Sequence, residues 1–163
     1  MSLQNCMSGG KHMKRIVSVI IFFMVVMHVF PLCAFAAETT ETIEYLADGS
    51  YIVTTVTESV TRANSTKTAS KTDRYYNADD ELQWLMVVTG TFTYDGSTSE
   101  CTSVRGSTSI VESGKWYIIS DSPTKSGPTA TYTVTFGYRA LGITIDRPTH
   151  SVSLTCDANG NLS

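Results

Sequence analysis

Four side chains that carry oxygen ligands stand almost together in the middle of the chain: Asn77, Asp79, Asp80 and Glu81. Carboxylate and amide oxygens are the ligands that Ca²⁺ prefers in proteins. The cluster lacks the glycine and the distant glutamate of an EF-hand loop, and a polar turn between two strands uses the same residue types. We therefore interpret it as a solvated turn, with a calcium site as the weaker alternative. The sequence predicts no other metal site and no cofactor.

Two pairs of adjacent aromatic residues are the best indication of a binding surface: Tyr75-Tyr76 and Trp116-Tyr117. Neighbouring residues of a β-strand point to opposite faces, so one ring of each pair should face outward. Exposed rings can stack on sugars or anchor a protein partner. The alternative is that these rings only cover a loop or a sheet edge, because isolated exposed aromatic residues are common.

Two cysteines lie beyond the first 36 residues, Cys101 and Cys156. An even pair in an exported chain suggests a disulfide, which would close a loop of about 55 residues. Two separate buried thiols are the alternative. The sole histidine in this part of the chain, His150, stands in an alternating polar run that is typical of a surface residue, and no apolar pocket marks a carboxylate. The sequence therefore predicts no catalytic residue.

The N-terminal segment has the three parts of a signal peptide. Basic residues precede an apolar run over 16–30, and the small residues Ala34 and Ala36 follow it, so that cleavage would leave Ala37 as the first residue. The run has about 15 residues, against ~20 for a helix that spans a bilayer. We expect a secreted, extracellular product, and an uncleaved N-terminal helix that anchors the chain is the alternative.

Cleavage would divide the chain into an N-terminal extension with the signal peptide, 1–36, and a single secreted domain, 37–163. It removes three of the twelve basic residues and none of the fifteen acidic ones, which leaves nine against fifteen and a net charge of −6. Proteins that bind nucleic acid concentrate Lys and Arg on one face, so we expect no nucleic-acid partner.

Apolar and polar residues alternate along several stretches, which is the pattern of half-buried strands. The apolar positions of these stretches are Leu82, Trp84, Met86, Val88, Phe92 and Tyr94; Ala130, Tyr132, Val134, Phe136 and Tyr138; Leu141, Ile143 and Ile145; and Val152, Leu154 and Cys156. Turn signals lie between them, at Asp48-Gly49, Asp95-Gly96, Ser113-Gly114, Ser126-Gly127-Pro128 and Asn159-Gly160.

This pattern predicts an all-β fold: an antiparallel β-sandwich of immunoglobulin-like size, with about seven to nine strands, after an N-terminal signal helix. A closed β-barrel is the alternative. The segments on either side of Asp48-Gly49 should pair as an opening hairpin. The polar segment from Thr61 to Lys71 is predicted to be a loop or a loosely held strand extension, because it lacks apolar residues.

The strings TGTFTYDGSTSECTS over 89–103 and SVSLTCDANGNLS over 151–163 resemble segments of short exported proteins of Gram-positive bacteria. The resemblance extends from Tyr75 to Ser163 and includes SPTKSGPTATYTVTFG and the LGITI run. It implies a bacterial host, a sheet-rich fold and the pairing of Cys101 with Cys156. Its motifs are turns, strands and cysteines, so it implies no catalytic residue.

We expect a secreted or surface-associated, non-enzymatic module that binds an extracellular ligand, such as a cell-wall glycan or a protein. No stable membrane insertion is expected after cleavage. Two alternatives come from other classes of function. One is a secreted antagonist, either bacteriocin-like or an inhibitor protein, and the other is an extracellular hydrolase.

Overall fold

The structure, a computed structural model, describes residues 39–59 and 65–163. The predicted cleavage residues Ala34, Ala36 and Ala37 lie outside the described residues, as does the rest of the predicted signal peptide. Neither described range contains a helix that could cross a lipid bilayer. Strands make up most of both ranges, as the alternating pattern predicts.

The first sheet is a meander of five antiparallel strands in chain order. Its strands are β1 (Thr39–Tyr45), β2 (Tyr51–Ser59), β3 (Thr66–Tyr76), β4 (Leu82–Tyr94) and β5 (Ser99–Ile110). The predicted opening hairpin is confirmed, because β1 pairs with β2 across the Asp48-Gly49 turn. Gly49 has a φ of +85° there, a backbone conformation that favours glycine.

The second sheet has four strands, β6 (Trp116–Ser126), β7 (Thr129–Ala140), β8 (Ile143–Asp146) and β9 (Thr149–Thr155). The long strand β7 is central, and β6 pairs with one of its edges. On the other edge, β8 pairs with residues 138–140 and β9 with residues 129–135. One edge of β7 is therefore shared by two short strands that follow each other in the chain.

The two sheets pack face to face and form a β-sandwich rather than a closed barrel. The core consists of alternate residues from both sheets: Met86, Val88 and Phe92 of β4, Tyr132, Val134 and Phe136 of β7, and Val152 and Leu154 of β9. Tyr132 lies directly over Gly106 of β5, where a Cβ atom would stand 2.0 Å from the ring. Glycine at this position therefore lets the two sheets approach each other.

Each strand from β1 to β8 runs opposite to the one before it, so consecutive turns lie at opposite ends of the sandwich, whereas β9 continues in the direction of β8 along the same edge of β7. We call one end the aromatic end; it consists of the turns at 46–50, 77–81, 111–115 and 141–142. We call the other the cysteine end; it consists of the turns at 95–98 and 127–128 and the C-terminal segment 157–163. Backbone hydrogen bonds join the two sheets at the cysteine end, where Gly96 N donates to Ala158 O at 2.8 Å.

The segment from Thr61 to Lys71 differs from its prediction. Residues up to 64 lie outside the described ranges, but β3 begins at the second half of the segment. Polar contacts hold it in the sheet: Thr68 Oγ1 lies 3.1 Å from Thr91 Oγ1 on β4, and Lys67 Nζ lies 2.8 Å from Glu58 Oε1 on β2. Cross-strand polar pairs thus stabilise a strand that has few apolar residues.

The alternating run of Leu141, Ile143 and Ile145 also differs, because the prediction placed these side chains at the core-facing phase of a strand. They are exposed, with 102 %, 66 % and 56 % of their surface accessible. Among the described strands, β8 packs against β7 alone, so no strand of the first sheet covers it. Alternation identified the strand correctly, but burial also requires an opposing sheet.

Candidate functional site

Aromatic rings from both sheets meet where the core reaches the aromatic end. The Trp84 ring of β4, whose residue is 4 % exposed, stacks on Phe136 with 4.5 Å between centroids and on Tyr75 with 5.1 Å. Trp116 of β6 meets Tyr75 at 5.8 Å and Trp84 at 6.5 Å, both edge-on. Such geometries add about 0.5–1.5 kcal/mol per pair to the burial of the rings. The buried rings therefore hold Tyr75 and Trp116 in fixed positions.

Three half-buried rings line a pocket of about 290 Å³ at this end, which we call the aromatic pocket: Tyr75, Trp116 and Tyr138. The rings of Trp116 and Tyr138 lie 4.8 Å apart and are tilted by 49°. Polar side chains from the turns and strand ends complete the lining: Asp48, Asn77, Gln83, Lys115 and Asp146. The pocket thus combines an aromatic wall with carboxylate, amide and ammonium groups.

The charged groups of the aromatic pocket make few contacts with the protein. Asp48 accepts hydrogen bonds from the Ser50 hydroxyl and from Ser50 N, the latter at 3.0 Å, and these bonds lower the pKa of the Asp48 carboxyl. Asp146 accepts one bond, from Arg147 N at 2.7 Å. Within the described ranges the Lys115 ammonium forms no ion pair. These charges are therefore available to a ligand.

The four predicted binding aromatics separate into two groups. Tyr75 and Trp116 come together in the aromatic pocket, whereas Tyr76 and Tyr117 lie on the two outer faces of the sandwich. The Tyr76 ring stacks on Tyr51, with 4.9 Å between centroids. Each adjacent pair therefore supplies one ring to the pocket and one to an outer face.

The acidic cluster at 77–81, for which calcium binding is the weaker alternative, forms a turn whose polar groups bond to one another. Asn77 Oδ1 accepts from Asp79 N at 3.1 Å and from Glu81 N at 2.8 Å, and Asn77 Nδ2 donates to the Glu81 carboxylate at 2.9 Å. Asp80 takes a φ of 63° in the same turn. In the part of the chain that the structure describes, no group of three or more His, Cys, Asp or Glu side chains is placed to hold a metal ion.

Cys101 and Cys156 are free thiols in the structure, so the predicted disulfide is not formed in it. Both belong to the core, with 1 % and 0 % of their surface exposed. Burial raises the pKa of both thiols. A raised pKa keeps a thiol protonated, and the arrangement is therefore not that of a reactive thiolate.

His150 is not the free surface residue that the sequence predicts. Its Nε2 lies 2.9 Å from Asp73 Oδ2, and its ring lies 5.4 Å from the Trp84 ring. Asp73, which is 6 % exposed, also accepts from Thr54 Oγ1 at 2.8 Å. In a catalytic triad an aspartate orients a histidine, whose other ring nitrogen is bonded to a nucleophile. Here no hydroxyl or thiol of the described residues is bonded to the other ring nitrogen of His150. The pair links the two sheets.

The chain matches no protein-family profile, no curated protein and no solved structure. Sequence reasoning missed Asp48, Gln83, Lys115, Tyr138 and Asp146 as lining residues. The available signal was the alternation of turns: in an antiparallel meander every second turn lies at the same end, and Asp48, Gln83 and Lys115 lie in or beside such turns, whereas Tyr138 and Asp146 pair at the base of the β7–β8 hairpin.

Proposed function

We propose that this protein is a secreted, non-enzymatic binding module whose aromatic pocket takes one sugar unit of an extracellular glycan. The observation that carries the proposal is the joint lining of one pocket by Tyr75, Trp116 and Tyr138, with polar groups beside the rings. The apolar C–H face of a sugar stacks on aromatic rings. Its hydroxyl groups can donate to carboxylates and accept from amide and ammonium groups.

The size and charge of the aromatic pocket favour a small, neutral ligand. Pockets for drug-sized ligands occupy roughly 300–1,000 Å³, and this one, at about 290 Å³, suits a single ring. Two carboxylates, Asp48 and Asp146, stand beside one ammonium, Lys115, so neither sign of charge dominates enough to select a strongly charged ligand. A sugar within a cell-wall glycan meets both conditions.

The Asp48 carboxyl is not suited to the role of the general acid in glycoside hydrolysis. A glycosidase needs one carboxyl group with a raised pKa, so that it holds a proton at the working pH. Ser50 lowers the pKa of Asp48 instead, which keeps this carboxylate ionised and able to accept hydrogen bonds. The predicted signal peptide and the resemblance to exported proteins of Gram-positive bacteria support a location outside a bacterial cell, where such glycans occur.

We further propose that Cys101 and Cys156 become a disulfide after export. The two thiols would lose two protons and two electrons to a disulfide-bearing oxidoreductase or to molecular oxygen, and one S–S bond would form. Cys101 N donates to Gly127 O at 2.7 Å and Cys156 N to Pro128 O at 3.1 Å, so both residues adjoin the same turn. Protein from the culture medium should be about 2 Da lighter before reduction than after it. Equal masses would contradict this proposal.

The sugar proposal is tested by calorimetric titration of the protein with a panel of neutral cell-wall oligosaccharides. Trp116→Ala and Tyr75→Ala should each weaken binding by at least about tenfold, because a ring that stacks on a ligand is a dominant contact. Tyr117→Ala and Tyr76→Ala are matched controls, since each removes the adjacent ring on the opposite face. They should leave the affinity unchanged.

The proposal is wrong if no oligosaccharide of the panel binds, or if the control variants weaken binding as much as the pocket variants do. Circular dichroism and thermal unfolding of each variant check that a loss of affinity does not result from a loss of the fold. Trp116→Phe keeps an aromatic ring at the same place, and it should retain more of the affinity than Trp116→Ala.

A further inference from the structure

The β7–β8 hairpin ends in an exposed apolar surface, which we call the β7–β8 tip: Leu141, Ile143 and Ile145. These side chains are 102 %, 66 % and 56 % exposed. Nothing lies within 4 Å of the position that a Cβ atom would take on Gly142, beside them. The tip is thus a projection into solvent. Large aliphatic side chains gathered on a projection indicate a surface that meets an apolar partner.

Leu141 is unusual in its backbone as well as in its exposure. Ala140 pairs with Ile143 across a two-residue turn, in which Leu141 has a φ of 51° and Gly142 a φ of 81°. A turn with two positive φ values favours Asn-Gly, and a bulky apolar residue at its first position is strained. Stability alone would favour Asn at position 141. The presence of leucine at this position therefore indicates that its side chain contacts a partner outside the fold.

Cationic and aromatic groups lie at the base of the β7–β8 tip. The Arg139 guanidinium stands 4.1 Å from the centre of the Tyr117 ring, and Tyr117 Oη lies 2.8 Å from Thr144 Oγ1. Arg147 follows β8 and is exposed. The hairpin has one acidic residue, Asp146, which lines the aromatic pocket instead. An apolar end is therefore bordered by two arginines and a tyrosine.

We propose that the β7–β8 tip docks this protein reversibly on an anionic phospholipid surface. The aliphatic side chains would enter the acyl boundary, while Arg139 and Arg147 would meet the lipid phosphates and Tyr117 would lie among the headgroups. Arginine and tyrosine favour that level of a bilayer, and reversible attachment combines buried apolar area with attraction to anionic lipids. Residues 138–140 of β7 pair with β8, so the backbone polar groups along the shared edge of the hairpin are satisfied within it.

The charge distribution favours a lipid surface over a second copy of the chain. Two copies that met through this tip would bring their arginines together, which costs free energy. The predicted secreted domain carries a net charge of −6, and the turns at 46–50, 77–81 and 111–115 contribute five carboxylates at the same end, so the cationic border is confined to the projecting β7–β8 hairpin. Such a border complements phosphate groups.

The test is flotation of the full chain with vesicles of phosphatidylcholine that contain roughly 30 % phosphatidylglycerol, compared with vesicles of phosphatidylcholine alone. Leu141→Asn should weaken partition into the anionic vesicles by about tenfold, although Asn suits the turn and should leave the fold as stable as before. Arg147→Gln should weaken partition into the anionic vesicles by about fivefold, and it should leave partition into the neutral vesicles unchanged. The lipid concentration is kept below saturation, so that any partition caused by the N-terminal segment changes the value of every variant by the same factor.

Two matched controls separate this proposal from others. Ile43→Thr removes a side chain of β1 that is 51 % exposed, and it should leave partition unchanged. Trp116→Ala should also leave it unchanged, so failure of the sugar proposal and failure of this one are distinguishable. Equal partition of the wild type and Leu141→Asn would overturn the proposal. Dimerisation of the wild type that Leu141→Asn abolishes in sedimentation equilibrium would overturn it too, in favour of a second copy.

Discussion

The two ends of the sandwich differ in how they use their polar side chains. At the cysteine end the turns satisfy themselves: Asp95 accepts from Ser97 N and Thr98 N, and Asp157 accepts from Asn159 N and Asn161 N. At the aromatic end the turns at 46–50 and 77–81 also bond within themselves, but the Lys115 ammonium and one carboxylate oxygen of Asp146 have no protein partner within the described ranges, and half-buried rings stand beside them.

This difference suggests that the two ends of the domain have different roles, one in stability and the other in binding. Polar groups that bond within the protein stabilise the fold, whereas polar groups and rings that remain available can bind something else. The core cysteines lie next to the self-satisfied turns, and the aromatic pocket and the β7–β8 tip lie at the opposite end. We therefore expect substitutions at the two ends to have different consequences.

The largest effect is expected where the core and the aromatic pocket meet. Trp84→Ala should lower the free energy of unfolding by about 3–5 kcal/mol, because it empties the space between Phe136 and Tyr75. It should also abolish sugar binding, since it removes the support of the pocket rings. Urea unfolding measures the first effect and titration the second. A Trp84→Ala protein with wild-type stability would contradict the packing described here.

A smaller effect on the free energy of unfolding is expected from two matched glycine substitutions, one at each end of the sandwich. Gly160 at the cysteine end and Gly142 at the aromatic end have φ values of +86° and +81°. Gly142→Ala should cost about 1–2 kcal/mol from backbone strain alone, since its Cβ would meet open space. Gly160→Ala should cost more, because its Cβ would also stand 2.7 Å from the Tyr94 ring. Equal costs in urea unfolding would show that the cysteine end is no more tightly packed there.

The smallest expected effect is a fall in the melting temperature at acidic pH. Hydrogen bonds within the turns lower the pKa of Asp95 and of Asp157 below the usual 3.8, first from Thr98 N and from the Asn161 side chain respectively. A carboxyl whose pKa is lower in the folded state stabilises the fold above its unfolded pKa, and this contribution disappears as the pH falls through the folded value. The melting temperature should therefore fall as the pH drops below about 4.

Neutral isosteres provide the control for this acid effect. Asp95→Asn and Asp157→Asn keep an acceptor oxygen but cannot ionise, so the double variant should lose less of its melting temperature on acidification than the wild type does. Identical slopes in calorimetry between pH 5 and pH 2, roughly the range in which such carboxyls titrate, would show that these turns do not contribute to the acid sensitivity.

The strands were predictable from the sequence, because alternation such as that of Tyr132, Val134 and Phe136 depends only on local periodicity. The turn glycines were predictable for the same reason. The burial of side chains was less predictable from the sequence. Ile143 and Ile145 alternate as core residues do, but they lie on a strand that no strand of the other sheet covers. The local sequence pattern predicts a strand, but it does not predict whether the other sheet packs against that strand.

The candidate site was only partly predictable. The sequence identifies Tyr75 and Trp116, because adjacent aromatic residues in a strand must point to opposite faces, but the alternating run predicts a core position for Tyr138. It stands at the end of an alternating run, where the core opens into the aromatic pocket. The partnership of Asp73 with His150 could not be predicted, because it joins residues 77 positions apart through the packing of two sheets.

The most direct test of the proposed sugar site in the aromatic pocket is a ¹H–¹⁵N NMR spectrum, which shows indole and backbone N–H signals, during titration with a cell-wall oligosaccharide. The chain has two tryptophans, one that lines the aromatic pocket and one that lies beneath it. We predict that the Trp116 signal moves progressively with ligand and that the buried Trp84 signal moves less. Indole signals that stay fixed throughout the titration, while the backbone amide signals of Tyr76 or Tyr117 on the outer faces shift, would contradict the assignment of the pocket.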